Sequence, residues 1–258
     1  NHAIVRVVLG GKAYFIDPTL QNERGQISAL PVPVPSAAAL IVSSNSTGLV
    51  TLPAEAMDEA LVERSERMTI GSLHGDAQLQ LKLEYRGRYA AGMRRAYRAI
   101  SFVELKKMLL EQFERTYPGV QIKEVPKLGD GAGGASFIVE AQFTLPKVLK
   151  EKDGDFSLAQ RSHIIEGTLG LPQKLVRKQP FWLDAGRYRA RYSLEVTLPN
   201  EARLVKEDDS LSVKNQYFDA RAQLAWRGAS LNYGVDYVIG NPEVAPAVDF
   251  LTIHLLPY

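Results

Sequence analysis

The chain has 258 residues, 45% of them hydrophobic and 23% charged, an ordinary balance for a globular protein with a sizeable core. Its formal net charge of +2 is too weak for a nucleic-acid binder, which concentrates basic residues on one face. With no cysteine it can form no disulfide, thiolate metal site or cysteine nucleophile of its own, and no apolar run reaches the roughly 18–20 residues of a membrane-spanning helix.

Ala3 to Leu9 and Lys12 to Ile16 are strand-like runs separated by Gly10-Gly11. Two glycines at that spacing supply the positive φ of a tight hairpin turn. Pro31, Pro33 and Pro35 then alternate with Val32 and Val34, and residues that cannot donate to a ladder predict an extended connector. Beyond it most segments alternate with period two: Leu61 to Ile70, Gln78 to Tyr85, Ser136 to Leu145, His163 to Leu169, Tyr188 to Leu198, Ala220 to Trp226 and Leu231 to Ile239. One polar and one apolar face imply half-buried antiparallel strands. A single helix is predicted over about 101–117. Ser101 and Glu104 have capping-box spacing, Phe102, Leu105, Leu109 and Phe113 form its apolar stripe, and Pro118-Gly119 ends it. The fold class expected is mainly β: an antiparallel β-sandwich with one amphipathic helix, preceded by a terminal hairpin. The organisation expected is a hairpin at 1–20, a Pro-rich connector at 21–45 and β-sandwich material at 46–258. Leu175 to Trp182 could divide that material into halves near 46–175 and 183–258.

Most chemistry-bearing residues fit bland roles. Gly129 to Gly134 lacks the strand-to-helix context of a phosphate cradle and reads as a flexible loop, and Lys147 to Asp155 reads as a solvated turn. His74, His163 and His254 have no metal-ligand spacing, and Asp153, Asp155, Asp208 and Asp209 lack a calcium-loop ladder. No cofactor and no metal is therefore expected. Trp182 and Trp226 could stack on sugars but fit core packing better. Arg86, Arg88, Arg94, Arg95 and Arg98 form a basic cluster between a strand and the helix, expected to be a solvated face.

His2 and Asp17 are the informative pair. If Leu9 pairs with Lys12, Ile4 lies opposite Asp17, and His2 and Asp17 become diagonal neighbours on one face, roughly 7–8 Å apart at Cα. An imidazole oriented by a carboxylate is two-thirds of a nucleophilic triad.

Asn1-His2-Ala3-Ile4-Val5 and Gly11-Lys12-Ala13-Tyr14-Phe15-Ile16-Asp17-Pro18-Thr19 resemble the final part of a bacterial transglutaminase-like domain. Arg24-Gly25, Tyr85 to Tyr89, Tyr117-Pro118-Gly119 and Leu194 to Pro199 are similar to the β-sandwich tail found in a subgroup of that superfamily. The resemblance implies a Cys-His-Asp triad in which His2 is the base and acid, Asp17 orients it, and the thiol lies upstream. The present sequence is then expected to be a fragment, noncatalytic alone, that serves as accessory β-sandwich region to a thiol acyl-transfer or peptidase-type parent. Its expected partners are its own upstream catalytic domain and a protein or peptide, with no nucleic acid and no membrane-spanning segment. A periplasmic or cell-envelope location comes with the resemblance. The alternative expectation is a binding or scaffolding module of a cell-envelope protein with no catalysis in the parent.

Overall fold

Alternation along the long strands decides the architecture, because a strand that buries every second side chain needs one covered face and tolerates water on the other. The computed structural model describes residues 2–54, 59–160, 164, 180–183, 187–200, 202–203 and 208–244. In chain order the first strands are β1 (Val5–Leu9), β2 (Lys12–Ile16), β3 (Ala38–Leu40), β4 (Leu49–Thr51), β5 (Val62–Ile70) and β6 (Ala77–Arg86). Two helices follow, α1 (Gly87–Ala99) and α2 (Phe102–Glu114). Next come β7 (Gln121–Ile122), β8 (Lys127–Asp130), β9 (Ser136–Leu145), β10 (Leu149–Lys152), β11 (Asp155–Leu158), β12 (Phe181–Trp182) and β13 (Tyr188–Thr197). The last are β14 (Asp209–Lys214), β15 (Phe218–Arg227), β16 (Ser230–Ile239) and β17 (Glu243–Val244).

The fold is mainly β. Nine strands form one mixed sheet in the order β14-β15-β16-β13-β5-β6-β9-β7, with β8 also on β9. Strands from both expected halves thus share a single sheet, joined where β13 runs parallel to β5 with Ala190 opposite Val62. The other ladders of the sheet are antiparallel. Its inner face carries Leu79, Leu81, Leu83, Val139, Phe143, Leu145, Ala190, Leu194, Val196 and Ile239, all buried. Helices cover much of that face, where the sequence alone suggested a second sheet. Leu105, Leu109 and Phe113 of α2 are buried against it, with the Phe113 and Phe143 rings 4.7 Å apart.

Two helices stand where one was expected. The Ser101–Glu104 capping box forms at the start of α2, with the Ser101 N–H donating to Glu104 at 2.7 Å. Helix α1 occupies the stretch read as a basic cluster between a strand and a helix. Its buried positions are Ala90, Ala91 and Arg94, small or cationic residues that leave a faint apolar stripe. Tyr89, Met93 and Tyr97, spaced four apart and packed against the core, were the readable helical signal. The Lys147–Asp155 turn is instead part of a second hairpin: β10 pairs with β11 around Asp153-Gly154, both at positive φ. The expected strand over His163 to Leu169 lies outside the described residues except for Ile164, which is buried.

The core also holds a polar network. Arg64 and Glu66 project inward from β5 and are buried, with Arg64 Nε donating to Glu66 Oε1 at 2.5 Å. Arg64 also donates to Gln112 on α2 at 2.8 Å and lies over the Phe113 ring. Glu66 Oε2 accepts from the Tyr192 hydroxyl at 2.8 Å and from Gln160 at 3.2 Å. Burial and the Glu66 charge push the Tyr192 phenol far up, so it remains a neutral donor. Removing one member leaves the other charge buried and unpaired. Arg64→Ala should therefore lose about 3–5 kcal/mol in urea unfolding, and joint replacement of Arg64 and Glu66 by Met and Leu should lose less. Equal losses for the single and the joint replacement would show that the pairing adds nothing.

Candidate functional site

The site is built at the end of the first hairpin. Gly10 and Gly11 take φ of +55 and +80, the twist that a two-residue turn between antiparallel strands requires. That turn sets Leu9 opposite Lys12 and Val5 opposite Ile16, the register read from the sequence. Asp17 follows β2 directly and opens a turn closed by the Leu20 N–H donating to the Asp17 carbonyl at 3.1 Å, with Pro18 at the second position.

This register brings His2 and Asp17 into contact. His2 Nε2 lies 2.6 Å from Asp17 Oδ2, across 15 residues of sequence. The other carboxylate oxygen is fixed by Thr19, whose backbone N–H and hydroxyl both donate to Oδ1, at 2.9 and 2.6 Å. The Thr19 side-chain hydrogen bond is the main influence holding the Asp17 carboxyl below its usual range. An ionised carboxylate can only accept, so at neutral pH the His2–Asp17 hydrogen comes from Nε2–H. In the neutral ring Nδ1 is then the nitrogen with a lone pair, and it has no partner among the described residues. The Asp17 side chain is 7% exposed while His2 is 46% exposed, so the pair has an anchored end and an accessible end. Glu23 adds a second carboxyl: desolvation, then the Asp17 charge, raises its pKa.

A strap ties this hairpin to the large sheet. Arg94, buried on α1, donates to Asp130 Oδ1 at 2.6 Å, to the Asn22 carbonyl at 3.1 Å, and to the carbonyls of Gly134 and Ser136. Arg24 takes the other oxygen of Asp130 at 2.6 Å, and Arg98 reaches Asn22 Oδ1 at 3.1 Å. Both arginines lower the Asp130 pKa, Arg94 more strongly, against a desolvation that raises it. A Cβ on Gly25 or Gly134 would meet the opposing backbone at about 3.4 Å, so the two chains pass closely there. The loop read as merely flexible is thus the seat of residues 22–25. Thr19, Glu23, Arg94 and Asp130 were not singled out as site residues. The Asp-Pro-Thr spacing carried a signal for Thr19, since a hydroxyl two residues after Asp suits a local turn bond.

The remaining candidates stay apart. His74 sits 3.9 Å from Glu151 and edge-on to Phe156, both on the β10–β11 hairpin. His163, His254 and the Trp182 side chain lie outside the described residues. Among the described residues no group of three His, Asp or Glu is placed to hold a metal ion. Asp208 accepts the backbone N–H of Trp226 at 2.8 Å, and Asp209 accepts the backbone N–H of Ser210. Trp226 borders a cavity of about 300 Å³ with Leu198, Pro199, Asn200 and Arg203. Arg86 pairs with Glu63 and Glu84, and Arg88 donates to the Arg187 carbonyl at 2.6 Å, so the basic cluster is largely internally paired. No family model, curated protein or solved structure matches the chain.

A lowered carboxyl pKa makes a pH prediction. The stabilisation from Asp17 is complete above its ordinary pKa of 3.8 and disappears as pH falls through the lower folded-state value. Thr19→Val removes the strongest lowering contact, so the Asp17 carboxyl midpoint, followed by carbon-13 NMR, should rise. The acid-induced loss absent from Asp17→Asn should shrink with it. An unmoved midpoint would mean that Thr19 does not fix the carboxylate.

Proposed function

We propose that this chain is the accessory β region, with the closing hairpin, of a transglutaminase-like thiol acyl-transfer or peptidase-type protein. The contact between His2 Nε2 and Asp17 Oδ2 carries the reading. Asp17 would hold the imbedded nitrogen of the ring and stabilise the imidazolium, while Nδ1 would take the proton of a thiol and return it to a leaving group. Because the 258 residues contain no cysteine, that thiol would come from a segment outside this sequence. Val5, Val8 and Leu9, each about half exposed, support a hairpin shaped to pack against further protein. The sheet and helices, joined to the hairpin through Arg94, would position a protein or peptide substrate or dock the catalytic core. A bacterial, periplasmic or envelope setting comes with the resemblance.

The alternative reading is a binding or scaffolding module of an envelope protein in which the hairpin persists without chemistry. Thiol alkylation against pH, in a chain extended upstream, separates the two. The catalytic reading expects a cysteine that titrates well below about 8.5 and rises in His2→Ala. A thiol indifferent to His2, or no thiol, gives the scaffolding reading.

A further inference from the structure

The two edges of the large sheet differ. At one end β7 has two residues and β8 four, and Pro126 interrupts them as they share the rim of β9. Short pieces broken by proline blunt an edge. At the other end β14 is six residues of Asp-Ser-Leu-Ser-Val-Lys with no proline, and all six are exposed. Leu211 and Val213, 53% and 39% exposed, continue the inner face of the sheet, because they pair with Ala222 and Ala220, which pack against the core.

Backbone bonding fixes which groups are free. The Asn215 N–H donates to the Phe218 carbonyl at 2.9 Å across the β14–β15 turn. Antiparallel pairs alternate, so Val213, Leu211 and Asp209 exchange bonds with β15, and the N–H and C=O groups of Ser210, Ser212 and Lys214 point outward. Among the described residues the Asp209 carboxylate takes the Ser210 N–H, and nothing else reaches these groups.

We propose that β14 is a self-association edge, through which two copies of this chain pair antiparallel about a two-fold axis at Ser212. In that register Ser212 faces Ser212, Ser210 faces Lys214, and Leu211 faces Val213 of the second copy, twice. The facing serine and lysine positions are the ones whose backbone groups point outward, so the hydrogen-bond phase of the new ladder is met. The apolar pairs fall together on the inner face, and no like charges lie opposite one another, as cross-strand pairing favours. Register and hydrogen-bond phase agree once the Asp209 carboxylate releases the Ser210 N–H, which makes a second copy the occupant that fits. A ladder this short covers less than the roughly 800 Å² per partner of a standard interface, so the dimer is weak, on the order of micromolar.

Cross-linking tests the register directly, since the chain has no native cysteine. Facing Ser212 positions lie roughly 5.5 Å apart at Cα, within disulfide reach. Mild oxidation of Ser212→Cys should give covalent dimer, whereas Ser210→Cys, which faces Lys214, should give several-fold less. Sedimentation of the wild-type chain should show a concentration-dependent dimer that Ser212→Pro abolishes, because that N–H bonds to none of the described residues within one copy. Val213→Lys should abolish it as well, and serves if the proline variant does not fold. Equal cross-linking at both positions, a dimer that survives both variants, or a wild-type chain monomeric at every concentration would overturn the proposal. The last result would leave the edge to a strand of some other protein.

Discussion

A nine-stranded sheet with only one apolar face must have that face covered, and most of the described elements are placed by this need. Strands β5, β6, β9 and β13 bury every second residue, and their opposite positions, among them Ser65, Gln80, Gln142 and Ser193, remain in water. Helix α2 covers the face with Leu105, Leu109 and Phe113, while α1 contributes Ala90 and the partly buried Tyr89, Met93 and Tyr97. Cover thins toward β15 and β14, where Leu224 and Trp226 are half-buried and Leu211 and Val213 are exposed. Among the described residues, the strand that carries this apolar fringe is also an edge with no further strand beside it.

Two arginines convert this packing into a specific arrangement. Arg64 places a charge inside the core and is matched by Glu66, so the helix carrying Gln112 is drawn to one position along β5. Arg94 does the equivalent at the rim. Its guanidinium bonds four partners from three segments, and the Asn22 carbonyl is one of them. Asn22 lies five positions after Asp17, so the orientation of the His2–Asp17 pair is tied to α1 and to the loop before β9. Charged hydrogen bonds are the shorter and stronger kind, which suits a joint between a small hairpin and a large sheet.

Much of this was legible in the sequence, and the exceptions share a cause. Period two located β9 to the residue and β5, β6, β13, β15 and β16 within one or two residues, the run beside Gly10-Gly11 located β2, and the Ser101 capping box located the start of α2. The expected strand at His163 to Leu169 lies outside the described residues except for Ile164. The His2–Asp17 contact followed from Gly10-Gly11 alone, because a two-residue turn fixes every pairing of its hairpin. Helix α1 escaped because its buried stripe includes Arg94, and hydrophobic periodicity cannot register a charge that is buried by being paired. Arg64 and Glu66 hide in the same way within an alternating strand. The Gly129 to Gly134 loop looked idle because the residues that fill it, Arg24 and Gly25, lie over a hundred positions earlier. Which strands are neighbours, above all the parallel junction of β13 with β5, depends on contacts between distant parts of the chain that no local pattern encodes.

Asp17 fixes the neutral His2 imidazole with its proton on Nε2, so that Nδ1 is the basic nitrogen. Long-range proton–nitrogen-15 correlation of the His2 ring, recorded at a pH where the ring is neutral, reads the tautomer. Nε2 should be protonated and Nδ1 should show the shift of an unprotonated nitrogen, with that preference lost in Asp17→Asn. A proton on Nδ1, or an even mixture of the two forms in the wild-type chain, would contradict it.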